Sequence, residues 1–305
     1  MSLVLVTGGA GYIGSALLPE LSARGHRLRV LDDFSGSDPG NLLGAPRFDF
    51  VRGDVRDPAA VERAVAGVDA VVHLAAITGA ADSHAIADAV HDVNLGGTET
   101  VLAAAESAGV DRVVLASSCN VYGNANAEHL VEADDPAPGN PYAASKLAAE
   151  AAGEAAPLET VAIRLATNFG WSPGIRFNLV VNAFVFRALH GEPLTVYGDG
   201  TNWRPFVHVR DSARAFADAL SWSPGTYNVG GSNQRLADVA AAVSRAVSAP
   251  VETDYLGDAD PGPSYHVDFT KAAAQGFVPG VGFEAGIEDL VHRFRAGQLR
   301  SVTHG

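Results

Sequence analysis

Residues 3–14 read LVLVTGGAGYIG, four unbroken apolar residues leading through Thr7 into glycines at 8, 9, 11 and 14. The continuous apolar run suits a strand buried on both faces, and the recurrence of Ile13, Leu17 and Leu21 at four-residue steps suits a helix directly after it. Gly8 lets the chain turn sharply, Gly11 lets the backbone approach a phosphate, and Gly14 lets the helix lie close to the sheet. The amides of Tyr12 and Ile13, at the helix N-terminus, then offer N–H donors to an anion. A glycine trio alone also describes an ordinary tight turn. Asp32 strengthens the first reading, because it ends the next apolar run 18 residues after Gly14, where a carboxylate can accept from ribose hydroxyls. Asp32 and Asp33 together repel a 2′-phosphate, so the pattern favours NAD over NADP.

Working outward, further continuous apolar runs lie at 28–31, 48–51, 70–74, 113–116 and 161–165. Between them, 59–66 and 93–108 repeat apolar residues at helical spacing. This βαβ alternation predicts a doubly wound α/β Rossmann fold with a parallel sheet over residues 1–167. Residues 168–305 are less regular and richer in Pro and Gly, with strands expected at 206–209 and 227–229. They read as a smaller α/β portion for substrate, partly interleaved with the first. Pro19 falls inside the first helix, where it removes a backbone hydrogen bond and is expected to kink it. Asp54, after the third run, has two readings: an adenine contact, or a helix cap before Pro58.

Composition narrows the partners. With 305 residues, 47% of them hydrophobic, the chain can bury a large core. A net charge of −14 with scattered basic residues argues against a nucleic-acid partner. No apolar run approaches the ~20 residues that span a bilayer, and MSLVLVTGG lacks a basic leader region, so the expectation is a cytoplasmic protein without a membrane segment. One cysteine, Cys119, makes neither an internal disulfide nor a metal-ligand pattern, and no metal is expected. There are only two lysines, Lys146 and Lys271.

Lys146 stands in PYAASK, four residues after Tyr142 and on the same helical face, in a helix whose first turn Pro141 marks. An ammonium beside a phenol lowers its pKa, which is what a tyrosine needs to act as a base near neutral pH. Together, TGGAGYIG at 7–14, Asp32, Asp54-Val55, Leu74-Ala75-Ala76, Asn94, Ser117-Ser118, Val121-Tyr122-Gly123 and Tyr142-x-x-x-Lys146 resemble the extended short-chain dehydrogenase/reductase family, in its nucleotide-sugar epimerase/dehydratase branch. The likeness continues through GDG at 198–200, Arg204, FVHV at 206–209, YNVG at 227–230 and DFTK at 268–271. It implies NAD, contacted by Gly8, Gly11, Tyr12, Ile13, Gly14, Asp32, Asp33, Asp54, Val55, Leu74, Ala75, Ala76, Asn94, Tyr142 and Lys146. It also implies a catalytic set of Ser118, Tyr142 and Lys146, which oxidises a nucleotide-diphosphate sugar at C4. Arg204 and Asn178 match diphosphate- or sugar-contacting positions, with Asn168 near a third. Arg176 and Arg210 are weaker candidates, equally well explained as solvated.

The stretch SSCNVYG at 117–123 separates the reactions within the branch. Dehydratases carry an Asp-Glu pair where this chain has Cys119 and Asn120, and an amide is no base, so 4,6-dehydration is disfavoured. A 4-epimerase needs neither group and is the preferred reading. Cys119 is either a small buried residue or a thiol acting at C5 or C6, which gives a C5 epimerase or 5,6-dehydratase; a ketoreductase is a further alternative. Two departures from the family stand out: Arg204 is followed by Pro205, and residues 258–263 lack the arginine of a second phosphate contact. The resemblance also implies a homodimer through the alanine-rich helices at 90–108 and 142–156.

Overall fold

The computed structural model describes residues 2–79, 83–123, 129–248, 251–257 and 262–297. Its strands are β1 (Leu3–Thr7), β2 (Arg27–Asp32), β3 (Phe48–Arg52), β4 (Ala70–His73), β5 (Arg112–Ser118), β6 (Glu159–Leu165), β7 (Thr167–Phe169), β8 (Leu194–Tyr197), β9 (Trp203–His208), β10 (Gly225–Val229), β11 (Ser232–Arg235) and β12 (Thr253–Leu256). The helices are α1 (Tyr12–Ala23), α2 (Pro58–Val65), α3 (Ala87–His91), α4 (Gly97–Ser107), α5 (Pro141–Ala155), α6 (Val180–Leu189), α7 (Val209–Asp218), α8 (Leu236–Val247), α9 (Thr270–Ala274) and α10 (Phe283–Arg295).

Seven strands form one parallel sheet in the order β10-β6-β5-β4-β1-β2-β3. The chain winds outward from β1 to β3, returns to β4 on the other side, and continues to β6. The order therefore reverses beside β1, and a crevice opens there at the carboxyl ends of the strands. Val4, Val6, Val72, Val114 and Val161 pack with Leu17, Leu18 and Phe216 on one face of the sheet, and Leu5, Leu31, Val71 and Val113 with Val61, Val101 and Leu102 on the other. Two-sided burial explains why these strands read as unbroken apolar runs.

The second half contributes β10 to this sheet and packs α7 against α1. Its remaining strands form a three-stranded sheet, β11-β9-β7, and a parallel pair, β12-β8, over a separate core of Phe169, Phe184, Phe206, Val239 and Leu290. The strand expected at 206–209 begins earlier, at Trp203, and the one at 227–229 begins at Gly225. α1 continues through Pro19, whose ring is exposed. The helix expected from residue 93 is divided, because a π-turn at Asp92–Gly96 joins α3 to α4. Among the described residues, no helix is long and apolar enough to cross a membrane.

Candidate active site

The glycine turn is closed from three sides. Gly8 has φ +68°, and a Cβ there would lie 2.7 Å from the Ala75 nitrogen, so both conformation and space demand glycine. A Cβ on Gly14 would meet the Gly8 oxygen at 2.5 Å, which fixes α1 directly over the turn. Gly11 is the N-cap of α1 and supplies no side-chain acceptor, and no acidic residue stands in the first turn. The positive end of the helix thus faces the crevice uncompensated.

Asp32 ends β2 with its carboxylate turned to the loop. It accepts from the Ala10 amide at 2.9 Å, the Phe34 amide at 2.9 Å and the Ser37 hydroxyl at 2.9 Å. Asp33 accepts from Ser35. Asp54 does not cap the following helix; Asp57 does, accepting from the Ala59 amide at 3.0 Å. Asp54 instead binds Arg56, with 2.6 Å to Nη2, and this contact holds its carboxyl below the usual range.

Beyond the turn, Ser118 closes β5 and caps the short 3₁₀ turn Cys119–Tyr122, accepting from the Asn120 amide at 3.2 Å. Asn140 caps α5 by accepting from the Ala143 amide at 2.9 Å, and Pro141 stands in its first turn. Tyr142, Lys146 and Glu150 then recur at four-residue steps on the face of α5 turned to β5 and β6. Lys146 is buried, makes no hydrogen bond to any described residue, and has its pKa lowered to about 8 by burial, which Glu150 partly opposes. A buried ammonium without an acceptor fits a ligand that brings one, such as the hydroxyls of a ribose.

The expected depression of the Tyr142 phenol is not what the structure gives. Burial raises its pKa; hydrogen bonding with Ser118 and the charge of Arg176 pull it back, and Lys146 is not among the influences. The lysine is itself stripped of water, and the charge that favours the ionised phenol is that of Arg176.

Behind these groups lies a buried polar chain. Arg164 of β6 donates to Glu150 through Nε, at 3.0 and 3.1 Å, and through Nη2, at 2.7 Å. Ser117 also hydrogen-bonds Glu150, and Arg164 Nη1 donates to the Tyr122 hydroxyl at 3.1 Å. On the other side, Thr7 and Thr98 bracket His73 at 2.7 and 3.0 Å, and burial, helped by Lys146, lowers its pKa to about 3. A neutral His73 therefore fixes the end of β4.

One cavity of about 790 Å³ gathers nearly all the predicted residues: Gly8, Gly11, Tyr12, Ile13, Gly14, Asp32, Asp33, Asp54, Val55, Leu74, Ala75, Ala76, Ser118, Cys119, Tyr142, Lys146, Asn168 and Asn178. Two expected contacts lie outside the wall. Asn94 is buried and its amide is consumed, accepting from the Ile77 amide at 2.8 Å and donating to the Ile77 oxygen and the Ser145 hydroxyl at 2.9 Å each. It positions the loop after β4 against α5 instead of facing a ligand. Arg204 stands one layer back, its guanidinium 5.6 Å from the ring centre of Tyr265, which does line the cavity.

The surroundings of Cys119 weigh against the thiol reading, although the residue lines the cavity. Its Sγ donates to the Arg164 oxygen at 3.2 Å amid Val121, Tyr122, Leu130 and Val267, and burial pushes the thiol far above its ordinary value. Such a group behaves as a small apolar residue. Arg210 forms a surface pair with Asp289 at 3.4 Å, whereas Arg176 is in the cavity wall. Residues 258–261 of the arginine-free stretch lie outside the described residues. Sequence reasoning passed over Glu150, although its spacing of four from Lys146 marked it, and passed over His73, which nothing in the sequence distinguished.

The model of the NAD dependent epimerase/dehydratase family matches residues 4–230. The chain belongs to that family. Across 302 residues the family member is 34% identical to the low-salt glycan biosynthesis protein Agl12 of Haloferax volcanii, covering 94% of this chain and 97% of Agl12. It is 33% identical to a dTDP-glucose 4,6-dehydratase of an Actinoplanes species, covering 97% of this chain and 98% of that one. The crystal structure of the UDP-glucose 4-epimerase of Thermus thermophilus in complex with NAD superposes with a TM-score of 0.85 at 34% identity, covering 96% of this chain and 99% of that one. Epimerase and dehydratase relatives thus lie at similar distances, and the choice between them falls to the residues of the site.

Proposed function

We propose that this protein is an NAD-dependent nucleotide-sugar 4-epimerase. The observation that carries the reading is Lys146, a buried ammonium without an acceptor among the described residues, on the same helix face as Tyr142 and in the same cavity as the glycine turn. The turn, with Asp32 and Asp33, would hold the dinucleotide at its adenosine end, and Lys146 would hold its second ribose. The dinucleotide, when bound, supplies reversible hydride acceptance.

The chain's own residues handle the proton. Tyr142 takes it from the sugar 4-hydroxyl, and Ser118, which lines the same cavity, orients that hydroxyl. The 4-keto sugar then turns about its diphosphate and is reduced on its other face, while Tyr142 returns the proton. Neither Cys119 nor Asn120 offers a base for a C5 proton, which favours epimerisation over 4,6-dehydration and over the Cys119-dependent C5 epimerase and 5,6-dehydratase readings. A ketoreductase differs in consuming reduced cofactor stoichiometrically.

Residues 1–167 would serve the dinucleotide and 168–305 the nucleotide sugar, with β10 and α7 interleaved. We place the protein in the cytoplasm as a homodimer through its alanine-rich helices, by analogy with the family. Incubation with a panel of nucleotide sugars in D2O, read by NMR, tests the reaction. C4 inversion without solvent deuterium in the product supports it, and deuterium at C5 or loss of the 6-hydroxyl overturns it.

A further inference from the structure

The charged side chains of the cavity wall are unevenly matched. Asp32 at the end of β2, Asp33 just after it and Asp54 after β3 lie at the end of the cavity given to the adenosine, and Arg56 is neutralised there by Asp54 at 2.6 Å. Around Tyr142 the wall holds Ser117, Ser118, Asn120, Lys146, Asn168 and Arg176, and no acidic residue. Asn120 accepts from the Tyr265 hydroxyl at 3.1 Å through its amide oxygen, which leaves the N–H₂ as its remaining polar end.

Arg176, in the loop between β7 and α6, has only neutral partners among the described residues. Nε donates to Asn178 Oδ1 at 3.2 Å and Nη1 donates to Thr78 Oγ1, a residue 98 positions earlier in the loop after β4. It forms no ion pair with a described residue, and Nη2 donates to none. Of five N–H donors, two are used. A half-buried guanidinium held in place by neutral groups, with an edge free and no carboxylate paired to it among the described residues, is suited to an oxyanion. Arg176 shares the cavity wall with Tyr142, Ser118 and Lys146, which puts its charge in the same cavity as the reacting groups.

We propose that Arg176 is an oxyanion-binding residue of the substrate site, its free edge taking a phosphoryl oxygen of the nucleoside diphosphate or a carboxylate oxygen carried on the sugar. The proposal rests on the nucleotide-sugar reading above. It makes Arg176, which the sequence explained equally well as a solvated side chain, a determinant of which sugars bind.

The test is calorimetric titration of the NAD-loaded protein and of Arg176→Gln and Arg176→Lys. The probes are the nucleoside diphosphate and its glucose and glucuronate derivatives, each with uridine and thymidine as carrier. Losing charge-assisted hydrogen bonds should weaken binding about 10- to 100-fold in Arg176→Gln, with partial recovery in Arg176→Lys. Weakening common to all three probes assigns Arg176 to the diphosphate, and weakening confined to the glucuronate derivative assigns it to a sugar carboxylate. Retained NAD and an unchanged melting temperature show that the fold is intact; should Arg176→Gln lose either, Arg176→Lys carries the comparison.

A wild type that binds while both variants bind every probe within about twofold of it overturns the Arg176 assignment alone. A wild type that binds none of the probes overturns the nucleotide-sugar reading, and the assignment with it.

Discussion

Replacing Glu150 by Gln removes one charge from the pair that anchors α5 to β6 while leaving its shape nearly unchanged. Only 6% of the Arg164 side chain and 8% of the Glu150 side chain are exposed, and the two are joined by three contacts between 2.7 and 3.1 Å. Burial works against the Arg164 charge, yet Glu150 and the Tyr122 hydroxyl outweigh it and raise its pKa. Without the carboxylate, Arg164 becomes a buried cation with an amide in place of its counter-charge. Breaking such a pair from one side costs about 3–5 kcal/mol, which at about 2 °C per kcal/mol for a chain of this size lowers Tm by roughly 6–10 °C. Differential scanning calorimetry reads this directly. The double variant Glu150→Gln with Arg164→Met should regain much of the loss, because no unpaired charge remains. A single variant as stable as wild type, or a double variant less stable than the single, would refute the reasoning.

Four further outcomes are expected. With lysine ¹³Cε labelling of the NAD-free protein, one of only two signals, the one absent in Lys146→Met, should titrate near pH 8. Because the folded-state value lies below the unfolded one of about 10.4, the unfolded chain binds more protons between them, so this group's contribution to stability rises with pH over that interval, which denaturant titrations of wild type and Lys146→Met can compare. Tyr142→Phe should lower turnover by at least about 100-fold through loss of the proton acceptor, with NAD content unchanged by absorbance. Cys119→Ser should keep most activity, and loss of turnover while the cofactor is still reduced by substrate would restore the thiol to the mechanism. Gly8→Ala should lose NAD on purification, since the left-handed backbone costs a residue with a Cβ about 1–2 kcal/mol before its contact at 2.7 Å with Ala75 is counted.

The Rossmann half was legible because both faces of its inner strands β1, β2, β4, β5 and β6 are largely buried, so each announced itself as an apolar run, and because the glycine turn admits few other residues. That Tyr142 and Lys146 share a face of one helix was legible from their spacing of four. What escaped was set by tertiary contact. Asn94 shares its motif with ligand-binding positions, but its amide is spent on Ile77 and Ser145. Arg204 sits behind Tyr265, and Arg176 enters the cavity only because the loop after β7 carries it to Thr78. The charge balance around Tyr142 was likewise misjudged, since spacing along a helix reveals a neighbour but not its desolvation.

The central claim is that the hydrogen at C4 leaves and returns to the same carbon while Tyr142 moves only a proton. A nucleotide sugar deuterated at C4, turned over to equilibrium and examined by NMR and mass spectrometry, tests it most directly. The label should remain at C4 in both the starting sugar and its epimer. Transfer of the label to C6, or its loss to solvent, would contradict the account.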